Sequence, residues 1–86
     1  MIYYFTYGSD DPEMPFQKGW TEVDAPDGPT AIKIFNAVHP PRKGSFINCA
    51  AVHPADYFEQ TEAFRNGNFG VRCHERITLT VERSTA

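Results

Sequence analysis

The chain lacks any apolar run approaching the ~20 residues that a bilayer-spanning helix requires, so a membrane crossing by such a helix is excluded. It also lacks an excess of basic residues. Eight Lys and Arg stand against eleven Asp and Glu, a formal net charge of −3, and with that sign non-specific attraction to nucleic acid or to an anionic membrane surface is not expected. Cysteine is scarce: there are two, with no C-x-x-C pair and no H-x-x-x-H pair among the three histidines. The N-terminus opens directly on the strand-like IYYFTY without a basic leader region. The expected compartment is a bacterial cytoplasm, where both thiols would stay reduced.

Aromatic residues are plentiful: seven Phe, four Tyr and one Trp make up 14% of 86 residues. A chain this short buries only about 60 to 65% of the surface its unfolded form exposes. Each ring buries roughly 150 to 250 Å², which supports a modest core without a covalent staple. The length fits one domain covering residues 1–86.

The best-formed unit is Gly19 to Pro40, GWTEVDAPDGPTAIKIFNAVHP. Ala31, Ile34, Phe35 and Val38 fall at the i, i+3, i+4, i+7 spacing of a helix with one apolar stripe. Asp27 suits the N-cap and Pro29 the first turn. Pro40 and Pro41 end the helix near His39. Ahead of it, Trp20 to Ala25 alternates as a strand, with Thr21, Val23 and Ala25 toward the core and Trp20, Glu22 and Asp24 on the other face. Trp20 there either packs on the outer face of the sheet or is offered to a partner.

Ile2 to Tyr7 reads as an interior strand, and Gly8 to Lys18 as a polar connection whose Met14 and Phe16 either pin it down or are offered outward. Phe46 to Val52 reads as a third, internal strand. A second helix is expected from Ala55 to Arg65, with a buried stripe of Tyr57, Phe58, Thr61 and Phe64, and it is stopped by Asn66-Gly67-Asn68. The last strand, Gly70 to Glu82, alternates Ile77, Leu79 and Val81 with threonines, and Ser84 to Ala86 is a tail. The order ββαβαβ predicts an α+β fold: a single small domain with a mostly antiparallel four-stranded sheet and two helices on one face.

Three chemical readings compete. Asp10, Asp11, Glu13, Glu22, Asp24 and Asp27 gather against Lys18 alone, which points either to a solvated acidic face or to a surface for a basic protein partner formed by Asp10, Asp11, Glu13, Trp20, Glu22 and Asp24. On a regular last strand Arg72, His74 and Arg76 share one face, where they would grip an anion such as a nucleotide phosphate, or else pair with Glu22 and Asp24. Cys49, His53, Cys73 and His74 have the ligand types of a tetrahedral zinc site, but adjacent Cys73 and His74 diverge unless the strand bulges. A Cys49–Cys73 disulfide would need strands three and four to pair. The basic turn Arg42-Lys43 is accounted for by the helix C-terminal dipole. No cofactor and no catalytic group is indicated, and self-association stays open.

The blocks GWTEVDAPDGPTAIKIFNAVHP, FINCA and GNFGVRCHERIT together resemble a group of short proteins from phages and other mobile elements of Gram-positive bacteria, over most of residues 2 to 78. That group has no established catalytic residues. The resemblance implies a non-enzymatic binding protein, such as an inhibitor of host defence of the anti-CRISPR kind.

Overall fold

The computed structural model describes residues 1–78. Five residues of the first strand, β1 (Ile2–Thr6), lie at the interior of a four-stranded sheet between β3 (Ala51–Pro54) and β2 (Trp20–Asp24), and β4 (Cys73–Thr78) closes the order β3-β1-β2-β4. β1 runs antiparallel to both neighbours, whereas β2 and β4 are parallel. The fold is thus a small α+β domain with a mixed, mostly antiparallel sheet. The internal position of β1 follows from its nearly continuous apolar character, since both of its faces are covered.

Helix α1 (Gly28–Val38) begins where the sequence signals place it: Asp27 Oδ1 accepts from the Thr30 backbone N–H at 2.8 Å, with Pro29 in the first turn. Hydrogen bonding from Thr30, first from its side chain and then from its backbone, holds the Asp27 carboxyl below its ordinary range. His39 is the C-cap, immediately before the two prolines. Ala31 and Phe35 are fully buried against Tyr3, Phe5, Tyr7, Val23 and Ala25, with Phe35 stacked on Phe5 at 4.4 Å between ring centres. Val38 breaks the expected stripe and is 47% exposed. The last turn meets the core through Phe35 and the C-cap His39, which packs on Phe35 and Phe16, and Val38 points away from them.

The remaining helices do not join α1. Helices α2 (Ala55–Phe58) and α3 (Glu62–Asn66) cover the opposite face, where Tyr4, Trp20 and Phe58 form a second core with Ile2, Ala55, Ala63 and Phe64 around it. The expectation of two helices on one face is corrected by this: alternate residues of β1, Tyr3 and Phe5 against Tyr4, feed separate cores, so each face needs its own cover. The single helix expected over 55–65 is also two short ones. Thr61, assigned to a buried stripe, instead has extended backbone and caps α3, its Oγ accepting from Phe64 N–H at 3.3 Å and donating to the Phe58 carbonyl at 2.7 Å. A threonine hydroxyl that offers the backbone local bonds competes with helix continuation.

Strand three starts later than the apolar pattern suggests and lies at the sheet edge. Phe46 to Ala50 is irregular: Ser45 bonds to Ile47 across a short turn, and the Phe46 carbonyl is taken by Asn36 Nδ2 at 3.1 Å. The expected alternation at Leu79 and Val81 lies outside the described residues. Among those described, no helix is long and apolar enough to cross a membrane.

The stacking of His53 on Phe58 (5.2 Å, 13°) and on Tyr57 (5.8 Å, 25°) yields a pH prediction. Burial holds the His53 imidazole below its ordinary range. The unfolded chain, with histidine near pKa ~6.5, therefore binds a proton more readily than the fold does, and this contribution to stability is present above that value and is lost as pH falls through it. Urea midpoints compared at about pH 8 and about pH 5 should drop less in His53→Phe than in the parent. Equal drops would remove His53 from the acid response.

Candidate functional site

The connection between β1 and β2 is a closed loop, residues 8–18, whose ends are tied by Lys18 N–H to the Gly8 carbonyl at 2.8 Å and Tyr7 N–H to the Gly19 carbonyl at 3.2 Å. Gly19 adopts φ +65°, and a Cβ there would overlap the Arg72 carbonyl oxygen, so glycine is what lets β4 approach β2 at this point. Met14 and Phe16 pin the loop inward. Phe16 lies flat on the His74 ring (4.4 Å, 6°) and edge-on to His39 (5.9 Å), and His74 Nε2 bonds to the Lys18 carbonyl at 2.8 Å and the Gln17 carbonyl at 3.3 Å.

A second segment, the turn after α1, meets this loop. Arg42 bonds to both carboxylate oxygens of Asp11, at 3.3 and 3.1 Å, the bidentate geometry that suits a guanidinium. Its Glu13 contact is longer, 3.8 Å, and the Glu13 side chain is 72% exposed. Asn48 Nδ2 reaches the Glu13 carbonyl at 3.3 Å. Arg42 therefore serves the acidic loop and not the helix dipole. Beside these contacts, Phe46 holds its ring 78% exposed, and Asp10 is also exposed. The loop carries Asp10, Asp11 and Glu13 against Lys18, while the turn brings Arg42 and Lys43, so the excess negative charge belongs to the loop and the bare aromatic ring stands on the adjoining turn.

The other members of the expected acidic surface are engaged elsewhere. Trp20 is 2% exposed and does not stand at the surface: its indole N–H donates to Glu22 at 3.0 Å while its ring packs against Phe58 and Phe64. Glu22 also faces Arg76 at 3.9 Å, and Asp24 takes the N-terminal ammonium at 3.2 Å. The Met1–Asp24 pair is substantially exposed on both sides and contributes little to stability, whereas Glu22 is only 19% exposed beneath a 56% exposed Arg76.

The row Arg72, His74, Arg76 is broken by a bulge. Trp20 is opposite Cys73 but Thr21 is opposite Glu75, so the alternation of β4 is reset between them. Arg76 then shares the face of Glu22, whereas His74 turns to Phe16 and Glu75 to Thr21 on the α1 side. Arg72 reaches the Arg65 carbonyl instead. No single face gathers the three for an anion.

The proposed zinc ligands are separated as well. Cys49 and His53 belong to the β3 edge and Cys73 and His74 to the β4 edge, three strand spacings or roughly 14 Å away. Among the described residues no group of three or more His, Cys, Asp or Glu could hold a metal. The same separation rules out a Cys49–Cys73 disulfide, and both thiols are free. Burial pushes the Cys49 thiol up to about 12, and burial with the nearby Glu22 raises Cys73, so neither is a reactive thiolate at neutral pH.

The structure adds a polar network that the sequence reading missed. Tyr7 and Thr21 hydroxyls are 2.5 Å apart, Thr21 Oγ donates to Glu75 Oε2 at 2.9 Å, and His39 Nε2 bonds to the same carboxylate oxygen. With its one proton committed to Glu75, Thr21 accepts from Tyr7, so all three partners donate toward the carboxylate. The Tyr7 phenol is held well above its ordinary range, first by burial and further by Glu75, against the lowering bond from Thr21. The network ties α1, β1, β2 and β4 together under Phe16. No local signal could have found it, because its contacts join residues 14, 54 and 36 positions apart.

A scan against protein-family models and searches of the curated proteins and of the solved structures match nothing, so the site rests on its own geometry.

Proposed function

We propose that this protein acts by binding, not by catalysis, and that its working surface is the face built from the 8–18 loop and the 42–48 turn. The partner is a basic protein surface with an apolar recess. In line with the resemblance to short proteins of phages and mobile elements, that partner is a host protein, such as a component of host defence. The observation that carries this reading is Phe46, 78% exposed on a turn bonded to a loop of excess negative charge. Large bare rings at a polar rim are typical anchors of protein interfaces, and the carboxylates supply steering toward Lys and Arg. An Arg/His anion grip and a zinc site lose their geometric support through the bulge and the strand order.

The test places a photo-crosslinking phenylalanine analogue at position 46, with position 60 on the opposite side of the sheet as control, in host cells. Position 46 should capture one discrete Lys- and Arg-rich protein, and Asp10→Lys with Glu13→Lys should suppress that capture. Capture no stronger at 46 than at 60 would remove this face as the interface, and capture that survives the charge reversal unchanged would remove the acidic loop.

A further inference from the structure

The segments that lead into β2, β3 and β4 all reach the sheet at one end, because β1 finishes where each of those strands begins: Thr6 is opposite both Trp20 and Ala51, and Trp20 is opposite Cys73. Two of these segments, the 8–18 loop and the 42–48 turn, make the binding face described above. The third is a hairpin of residues 67–72, bonded to the neck of the loop. Asn68 Nδ2 donates to the Tyr7 and Gly19 carbonyls at 2.9 and 3.0 Å, and the Gly19 N–H donates to the Asn68 carbonyl at 2.9 Å.

The tip of this hairpin is built against backbone preference. Asn68 and Val71 close a two-residue turn with bonds of 2.8 and 3.2 Å, and both residues between them have positive φ, Phe69 at 55° and Gly70 at 80°. In such a type I′ turn Asn or Asp ordinarily precedes Gly, because a short polar side chain tolerates left-handed backbone and a bulky one does not. A core-filling ring would explain phenylalanine there. The Phe69 ring is instead 62% exposed and belongs to neither aromatic cluster. Of the seven phenylalanines only Phe46 and Phe69 stand bare, and both are carried by segments at this end of the sheet. Strain that packing within the fold does not explain points to a task outside it.

The charge beside Phe69 is of the opposite sign to that of the loop. Arg42 and Arg76 face carboxylates, whereas Arg65 and Arg72, on either side of the hairpin, are exposed and have no ion pair among the described residues; Arg72 bonds to the Arg65 carbonyl. From Glu62 to Arg72 the sequence holds these two guanidinium groups and one carboxylate. The turn enters β3 and the hairpin enters β4, three strand spacings or roughly 14 Å apart. A standard interface of ~800 Å² per partner, roughly 30 Å across, spans both.

We propose that the 67–72 hairpin is a second contact of the partner bound by the loop and the turn, with Phe69 entering an apolar recess whose rim is acidic and faces Arg65 and Arg72. This rests on the binding reading above and extends it. The partner surface is therefore divided, basic opposite the 8–18 loop and acidic opposite the hairpin, and that order of charge along the face supplies specificity.

The experiment places the photo-crosslinking phenylalanine analogue at position 69 of the full chain in host cells, beside chains carrying it at 46 and at 60. One protein, identified by mass, should be captured at both 46 and 69. Phe69→Asn, in the chain with the analogue at 46, should lower that capture at least tenfold, the loss expected of an interface anchor. The same substitution should raise the urea midpoint by about 0.5 M, since asparagine suits the left-handed position. Arg65→Glu, on an exposed side chain, should cut capture at 69 severalfold; unchanged capture would remove the acidic rim. Capture at 46 but not at 69, a different protein at 69, or full capture at 46 by Phe69→Asn would each overturn the hairpin contact and leave the loop and turn face standing. Capture at 69 alone, or at neither position, would overturn both readings. A Phe69→Asn midpoint no higher than the parent's would overturn the assignment of strain to this ring.

Discussion

Phe35→Ala should remove about 3–5 kcal/mol of stability, the cost of deleting a fully buried ring and leaving a cavity. Phe35 is completely inaccessible, stacks on Phe5 at 4.4 Å, and lies beside Tyr7 and His39. Domains of this kind are stable by only about 5–15 kcal/mol in total, so the variant should be largely unfolded at modest urea. Val38→Ala, three residues further along the same helix, should change stability by less than about 1 kcal/mol, because its side chain is 47% exposed. Urea midpoints for the two variants decide the matter. Similar losses at both positions would mean that the Val38 side chain is packed after all.

Trp20→Ala should be equally costly, about 3–5 kcal/mol, through the other core. The indole contacts Tyr4, Phe58 and Phe64 with ring centres 5.3 to 6.0 Å apart, and its N–H bonds to Glu22. Loss of the ring strips the sheet face that α2 and α3 cover, and those helices, of four and five residues, are too short to persist without it. As the sole tryptophan, Trp20 also reports on its own burial: native emission should be blue-shifted and should move to the red on unfolding. A Trp20→Ala protein that stayed folded and lost only partner capture would restore the residue to the surface and contradict the second core.

The two cores explain the division of labour between faces. The α1 side holds the larger aromatic cluster and, at its margin, the Tyr7–Thr21–Glu75–His39 network beneath Phe16. The α2 and α3 side is closed by smaller pieces, with the Tyr4 hydroxyl donating to Glu59 at 2.6 Å to fasten the short helix pair. Burial and this bond hold the Tyr4 phenol well above its ordinary range, so it stays a donor at any neutral pH. The binding face proposed above adjoins the α1 side, where Met14 and Phe16 pack on that core. It is carried by a loop and a turn, and what fixes them is the inward set of Met14, Phe16 and Arg42.

Local signals decided the parts of this molecule that depend on neighbouring residues. The Asp27 cap, Pro29 in the first turn and the Pro40-Pro41 stop bound α1 correctly, because capping and proline chemistry act within one turn. The unbroken apolar run of β1 announced a strand covered on both faces, and the alternation of Thr21, Val23 and Ala25 identified the core face of β2. The acidic loop was legible as a charge imbalance, although its bond to Arg42, 31 residues away, was not.

Tertiary structure alone decided the rest. Whether Trp20 is bare or buried depends on which side of the sheet the residues after β3 return to, and periodicity within a strand carries no such information. Gly19 admits the β4 backbone at close range next to the bulge between Trp20 and Thr21, and that shift of register dispersed the Arg72, His74, Arg76 row. Strand order placed Cys49 and Cys73 at opposite edges. Side-chain type and spacing specify what a residue can bind, but the register and order of strands, set by packing across the whole sheet, specify what it meets.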